Sequence, residues 1–169
     1  MTNISELTNI PDLFRFELIV GPIVAYGEPV TQGDHTVGFS RRNRVFIRHK
    51  NGKRLDAWRD VIAWTIKSAM RQARQKLPSG AVGVRIDFFY PHLKNHFTAK
   101  GNRSCNYATF KTSPPDGDKL QRAVFDALSG VAYEDDRCVV WSVWTKTFQN
   151  VATPGAVIRI YRVSESVSS

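Results

Sequence analysis

The sequence predicts an α/β (α+β) fold, a single domain built on a small mixed β-sheet with two main helices. Three observations carry that expectation. Short runs of alternating apolar residues recur along the chain, two longer stretches repeat apolar residues every three or four positions, and strand-like and helix-like stretches are interspersed. The chain has 169 residues, 42% apolar and 23% charged, with a mean hydropathy of -0.30. That is the length and balance of one folded domain, and it sets disordered, fibrous and membrane-embedded chains aside. No apolar run suits a spanning helix and the N-terminus does not read as a signal peptide, so the cytosol is the expected compartment. Cys105 and Cys138 lack the partners of a disulfide framework or a zinc site and are expected as free thiols.

Residues 1–12 show no periodicity and read as a flexible lead-in; the domain is expected over 13–163, with a flexible polar tail at 164–169. Phe14, Phe16, Leu18 and Val20 alternate with their neighbours as a half-buried strand does, and Gly21-Pro22 reads as its end. Residues 27–53 suggest a long arm or hairpin whose one strand-like piece is Val45-Phe46-Ile47. Asp56 reads as the cap of a helix carrying Trp58, Val61, Ile62, Ile66, Ala69, Met70, Ala73 and Leu77 on one face, stopped by Pro78 and Gly80. Lys67, Arg71 and Arg74 line another face, which is most simply solvated. Val82, Val84, Ile86 and Phe88 form a second strand, and residues 91–114 a long basic loop. His92 and His96 there are four apart, a spacing that suits a metal only on a helix, which Pro91 and Gly101 argue against. A short helix enters at Asp116-Gly117-Asp118 and ends at Gly130. Val139–Trp144 and Val157–Tyr161, separated by Thr153-Pro154-Gly155, read as a hairpin.

Charge is distributed unevenly. Lys and Arg number 24 against 15 Asp and Glu, a formal net charge of +9, which favours a polyanionic partner. Residues 41–54 hold Arg41, Arg42, Arg44, Arg48, Lys50, Lys53 and Arg54 with no acid, as expected for a segment that meets a polyanion. Residues 116–136 instead gather Asp116, Asp118, Asp126, Glu134, Asp135 and Asp136.

Helical spacing puts Asp118, Arg122 and Asp126 on one face, and a turn at Gly130 gives the chain a route to bring Asp135 and Asp136 back toward the helix start. Crowded carboxylates raise one another's pKa unless a cation compensates, and hard oxygen donors of this kind suit Mg²⁺ or Mn²⁺. On a basic protein the matching chemistry is metal-assisted phosphodiester hydrolysis, with Arg122 or Lys119 adding charge stabilisation. The alternative is structural: Asp116 or Asp118 capping the helix, Asp118 and Arg122 as an i, i+4 pair, and Asp135-Asp136 as a turn.

At these residues the sequence resembles the RusA-type Holliday junction resolvases of bacteria and their phages. The family pattern is Pro-Asp-x-Asp-Asn/Lys-Leu, a helix ending Asp-Ala-Leu, a glycine turn, Asp-Asp and a Val-rich strand. Here it reads Pro115-Asp116-Gly117-Asp118-Lys119-Leu120, Asp126-Ala127-Leu128, Gly130, Asp135-Asp136 and Val139-Val140. Gly27-Glu28-Pro29, Gln32-Gly33 and Trp58-Arg59 are weaker echoes. The resemblance implies a homodimeric, Mg²⁺-dependent endonuclease that resolves four-way DNA junctions by paired symmetric nicks, in a bacterial cell or encoded by a phage, with no membrane and no small-molecule cofactor. It implies that Asp116, Asp118 and Asp136 are the essential acids and metal ligands, with Asp126 and Asp135 at less clearly assigned positions. Arg122 stands where the family often has lysine, keeping the charge but unable to give up a proton near neutral pH. Lys146 stands where a basic residue follows the Asp-Asp strand and is expected, with Arg122, to contact phosphate or the transition state. Two rivals share these features: a nuclease preferring flaps or forks, and a basic nucleic-acid-binding module without catalysis.

Overall fold

The computed structural model describes residues 14–32, 35–39, 44–49 and 52–165, with the backbone alone for 35–37, 39 and 46–49. Its elements are β1 (Phe14–Tyr26), β2 (His35–Phe39), β3 (Val45–His49), α1 (Gly52–Gln72), β4 (Val82–Pro91), α2 (Gly117–Leu128), β5 (Val139–Gln149) and β6 (Gly155–Glu165). Four strands form one mixed sheet in the order β1-β6-β4-β5, and β2 and β3 pair as a separate antiparallel hairpin. The expected small mixed sheet with two helices in an α+β domain is what the chain forms.

Strand alternation sorts the sheet into two faces. Val82, Val84, Ile86 and Phe88 of β4 and Ala156, Ile158 and Ile160 of β6 are fully buried, and they meet Leu55, Trp58, Ile62, Ile66 and Met70 of α1 and Leu120, Val124 and Leu128 of α2 in one core. The other face carries Phe16, Trp141 and Tyr161, whose rings pack together. It also carries Asp87, which accepts hydrogen bonds from Arg85, Arg159 and Thr145. Burial opposes ionisation of Asp87, but its hydrogen bonds from Arg85 and Thr145 prevail and hold its pKa below the usual carboxylate range.

Four expectations need correction. The C-terminal strands do not form a hairpin: β5 runs parallel to β4 at the sheet edge, while β6 inserts between β1 and β4, antiparallel to both. Burial explains the order, since the uniformly apolar inward residues of β6 suit a central strand, whereas β5 presents Ser142 and Lys146 on the same face. The first strand does not stop at Gly21-Pro22 but continues through it, with register shifts on either side of Val20. Gly21 makes that passage possible: its φ is +109° and a Cβ there would lie 2.5 Å from the Ile158 carbonyl oxygen. Finally, α1 begins at Gly52, so Asp56 lies inside the helix and not at its cap; the helix extends far enough to bury Leu55. The arm also contains a second strand-like piece, β2, paired to β3.

The basic loop packs against the sheet. Phe97 and Tyr107 gather around His92 and His96 against Phe148 of β5, so these two aromatics anchor it, whereas Phe110 is exposed. The Nδ1 atoms of His92 and His96 lie 2.9 Å apart, and burial, with the charges of His96 and Arg103, lowers the His92 pKa.

Candidate active site

Helix α2 starts against the middle of β5. Asp116 occupies the N-cap position with extended backbone angles, but its side chain makes no capping bond; it ion-pairs with Lys119 at 3.3 Å. Asp118 stands in the first turn, and both carboxylates are exposed. Gly117 between them is buried beneath the Trp144 indole, where a Cβ would come within 2.2 Å of the ring. Only glycine lets the helix start sit this close to the strand. Between the 28–31 segment and the helix start lies a cavity of about 400 Å³ lined by Thr31, Pro114, Pro115, Asp116 and Lys119. Beside it is a smaller one of about 150 Å³ whose lining includes Glu28, Thr31, Arg54, Tyr90 and Pro115. Burial pushes the Tyr90 phenol well up, with a further contribution from Glu28.

The remaining acids go elsewhere. Asp126 accepts from Arg59 of α1, which also donates to the Gln32 side-chain oxygen, while the Gln32 backbone N–H donates to the Lys119 carbonyl at 3.1 Å. Asp126 therefore ties α1, α2 and the 27–32 segment together. Asp135 accepts from the Arg137 amide at 3.0 Å, a bond that lowers its pKa, and caps a short 3₁₀ turn over Asp136–Cys138. The Tyr133 hydroxyl donates to the Phe125 carbonyl at 3.2 Å. Burial, together with the carboxylates of Asp136 and Asp126, pushes its phenol pKa strongly up.

The turn that carries Asp136 follows Tyr133, which reaches the Phe125 carbonyl near the end of α2. Asp118 and Asp126 are eight residues apart on that helix, roughly 12 Å along its axis. Among the described residues, no three of His, Cys, Asp and Glu converge on a possible metal position. Asp116 and Asp118 do form a pair of exposed hard-oxygen donors.

Of the expected DNA contacts, Lys53 and Arg54 at the start of α1 are exposed, and Arg54 pairs with Glu28. Arg44 is exposed as well. Arg41, Arg42 and Lys50, and the side chain of Arg48, lie outside the described residues. Arg122 is exposed, and among the described residues it bridges neither Asp118 nor Asp126. Lys146 donates to the carbonyls of Pro115 at 2.6 Å and Ser113 at 3.1 Å. That engagement has no signal in the sequence, and neither does the Trp144–Gly117 contact.

The model of one protein family, described as "Endodeoxyribonuclease RusA", matches residues 27–161, most of the chain. The chain is a member of the RusA family. RusA proteins are Holliday junction-resolving endonucleases and depend in general on divalent metal, so this RusA-family chain is an endodeoxyribonuclease acting on branched DNA. No curated protein matches it significantly. No helix among the described residues of this RusA-family chain is long and apolar enough to cross a membrane.

Proposed function

We propose that the chain resolves four-way DNA junctions by metal-dependent, paired phosphodiester hydrolysis, with Asp116 and Asp118 at the centre of the reaction. The observation that carries this reading is the pair of exposed carboxylates flanking buried Gly117 at a helix start braced on β5. Magnesium suits that donor set, because it usually keeps several waters and takes one or two carboxylates together with substrate phosphate. Bound there, it would lower the pKa of an attacking water and neutralise charge growing on the phosphate. The chain's own residues orient the strand: Lys119, paired with Asp116, and Arg122 on the same helix offer positive charge for the phosphate oxygens, and the basic side chains of residues 41–54 hold the DNA backbone.

A four-way junction is roughly two-fold symmetric and needs two cuts, so a symmetric homodimer presenting two sites suits it. Because no third acid joins Asp116 and Asp118 in a metal-holding group among the described residues of one chain, Asp136 is assigned in such a dimer to the site of the second copy. The test is a panel of labelled four-way junction, flap, fork and linear duplex, with Mg²⁺, with Mn²⁺ and with chelator. Paired nicks on the junction, dependent on metal, are expected. Equal or faster cutting of flaps or forks would move the assignment to a flap or fork nuclease.

A further inference from the structure

Strand β5 meets the segment leading into α2 one alternate side chain at a time. Ser142 accepts from the Gln121 amide at 2.8 Å, Trp144 covers Gly117, and Lys146 holds the Pro115 and Ser113 carbonyls. At the end of the row the Lys111 ammonium lies 5.5 Å from the Phe148 ring centroid. The backbones are also joined, Lys111 N–H to the Lys146 carbonyl at 3.0 Å and Phe148 N–H to that of Thr109 at 2.7 Å. The catalytic segment is thus laid antiparallel along the strand.

Lys146 carries the part of this alignment nearest Asp116. Pro114 and Pro115 have no N–H, so their stretch of chain can be held only through its carbonyls. That requires a donor, and an ammonium supplies three. Two of them are used on the main chain just before Asp116, in charge-assisted bonds roughly twice as strong as neutral ones. Lys111 adds a bond to the Ser113 hydroxyl at 2.8 Å. A lysine serving mainly as a phosphate contact would turn its donors to solvent, whereas two of the three here are spent on the main chain.

We propose that Lys146 is a positioning residue, pinning the Ser113 and Pro115 carbonyls so that the Asp116 carboxylate is aimed at the reacting phosphate, and that it does not itself contact DNA. The catalytic consequence rests on the proposed role of Asp116; the pinning does not. Hydrogen exchange of the free protein, without DNA or metal, tests the pinning, and steady-state cleavage of a four-way junction tests its consequence. In Lys146→Met, exchange of the Leu120 amide, which bonds the Asp116 carbonyl, rises about tenfold or more while α1 keeps its protection. kcat falls about 10- to 100-fold with the junction KM within about twofold, and Lys146→Arg recovers part of both. Lys146→Gln replaces the Met variant if the latter does not fold. Unchanged exchange and kcat, with a raised KM and a shallower salt dependence, would make Lys146 a phosphate contact and overturn the proposal. If the wild type cuts no DNA, the catalytic reading of Asp116 falls, and the exchange result alone upholds or overturns the pinning.

Discussion

Gly117 and Trp144 show how one missing methyl group shapes the site. An alanine at 117 would put its Cβ 2.2 Å from the indole, so Gly117→Ala should destabilise by about 1–3 kcal/mol through overpacking and should lower cleavage by displacing both flanking carboxylates. Adding Trp144→Leu should recover much of the stability, which denaturant unfolding of the singles and the double would read as a non-additive pair. Asp87 gives a pH-dependent counterpart on the other face. Its folded-state pKa is lowered, so its contribution is complete above the unfolded value of about 3.9 and disappears as pH falls through the folded value. Asp87→Asn should therefore cost about 1.5–3 kcal/mol at pH 7, with the gap to wild type narrowing in unfolding measurements below about pH 4. The Asp-Gly-Asp motif was legible in sequence because its members are adjacent. The partners of Gly117, Lys146 and Asp126 were not, because they stand 27, 31 and 67 residues away.

The elements were legible to the degree that their periodicity was local. Of the stripe predicted for α1, Trp58, Ile62, Ile66 and Met70 are buried, whereas Val61 is exposed and Ala73 and Leu77 lie past the helix end at Gln72. Its start was misplaced because Asp56 resembled a cap while the deciding fact, the burial of Leu55, depends on tertiary packing. Likewise β5 and β6 looked like a hairpin because a Thr-Pro-Gly turn separates them; their true order depends on competition for the middle of the sheet. Helix α2 was found at its expected place, but the return of the chain after Gly130 was not, since Tyr133 ties it to Phe125 and not to the helix start. The Arg59–Asp126 pair joins the two helices. Asp126→Asn should accordingly lower stability by about 1–3 kcal/mol, measured by thermal unfolding, while leaving the junction-binding salt dependence unchanged.

Across the whole molecule, the proposed function divides the labour between a net charge of +9, which would hold the polyanion, and the carboxylate pair at the start of α2, which would cut it. Replacing Arg41, Arg42 and Arg44 together by alanine should weaken junction binding and lower the slope of log K against log salt by about 2–3. The absence of a three-acid group around Asp118 among the described residues leads to a mixing experiment. Asp118→Asn and Asp136→Asn, each inactive alone, should regain nicking of one strand when combined, because one site of the mixed dimer then has a full set of acids. No recovery would return Asp136 to its own chain's site or to a structural role. The decisive measurement is cleavage of a labelled four-way junction by wild type and Asp118→Asn, beside their binding to it. The wild type should make paired symmetric nicks only with divalent metal, and the variant should bind with similar affinity and cut at least about 100-fold more slowly. A variant that nicks as fast as wild type would show that the Asp116–Asp118 pair is not the catalytic centre.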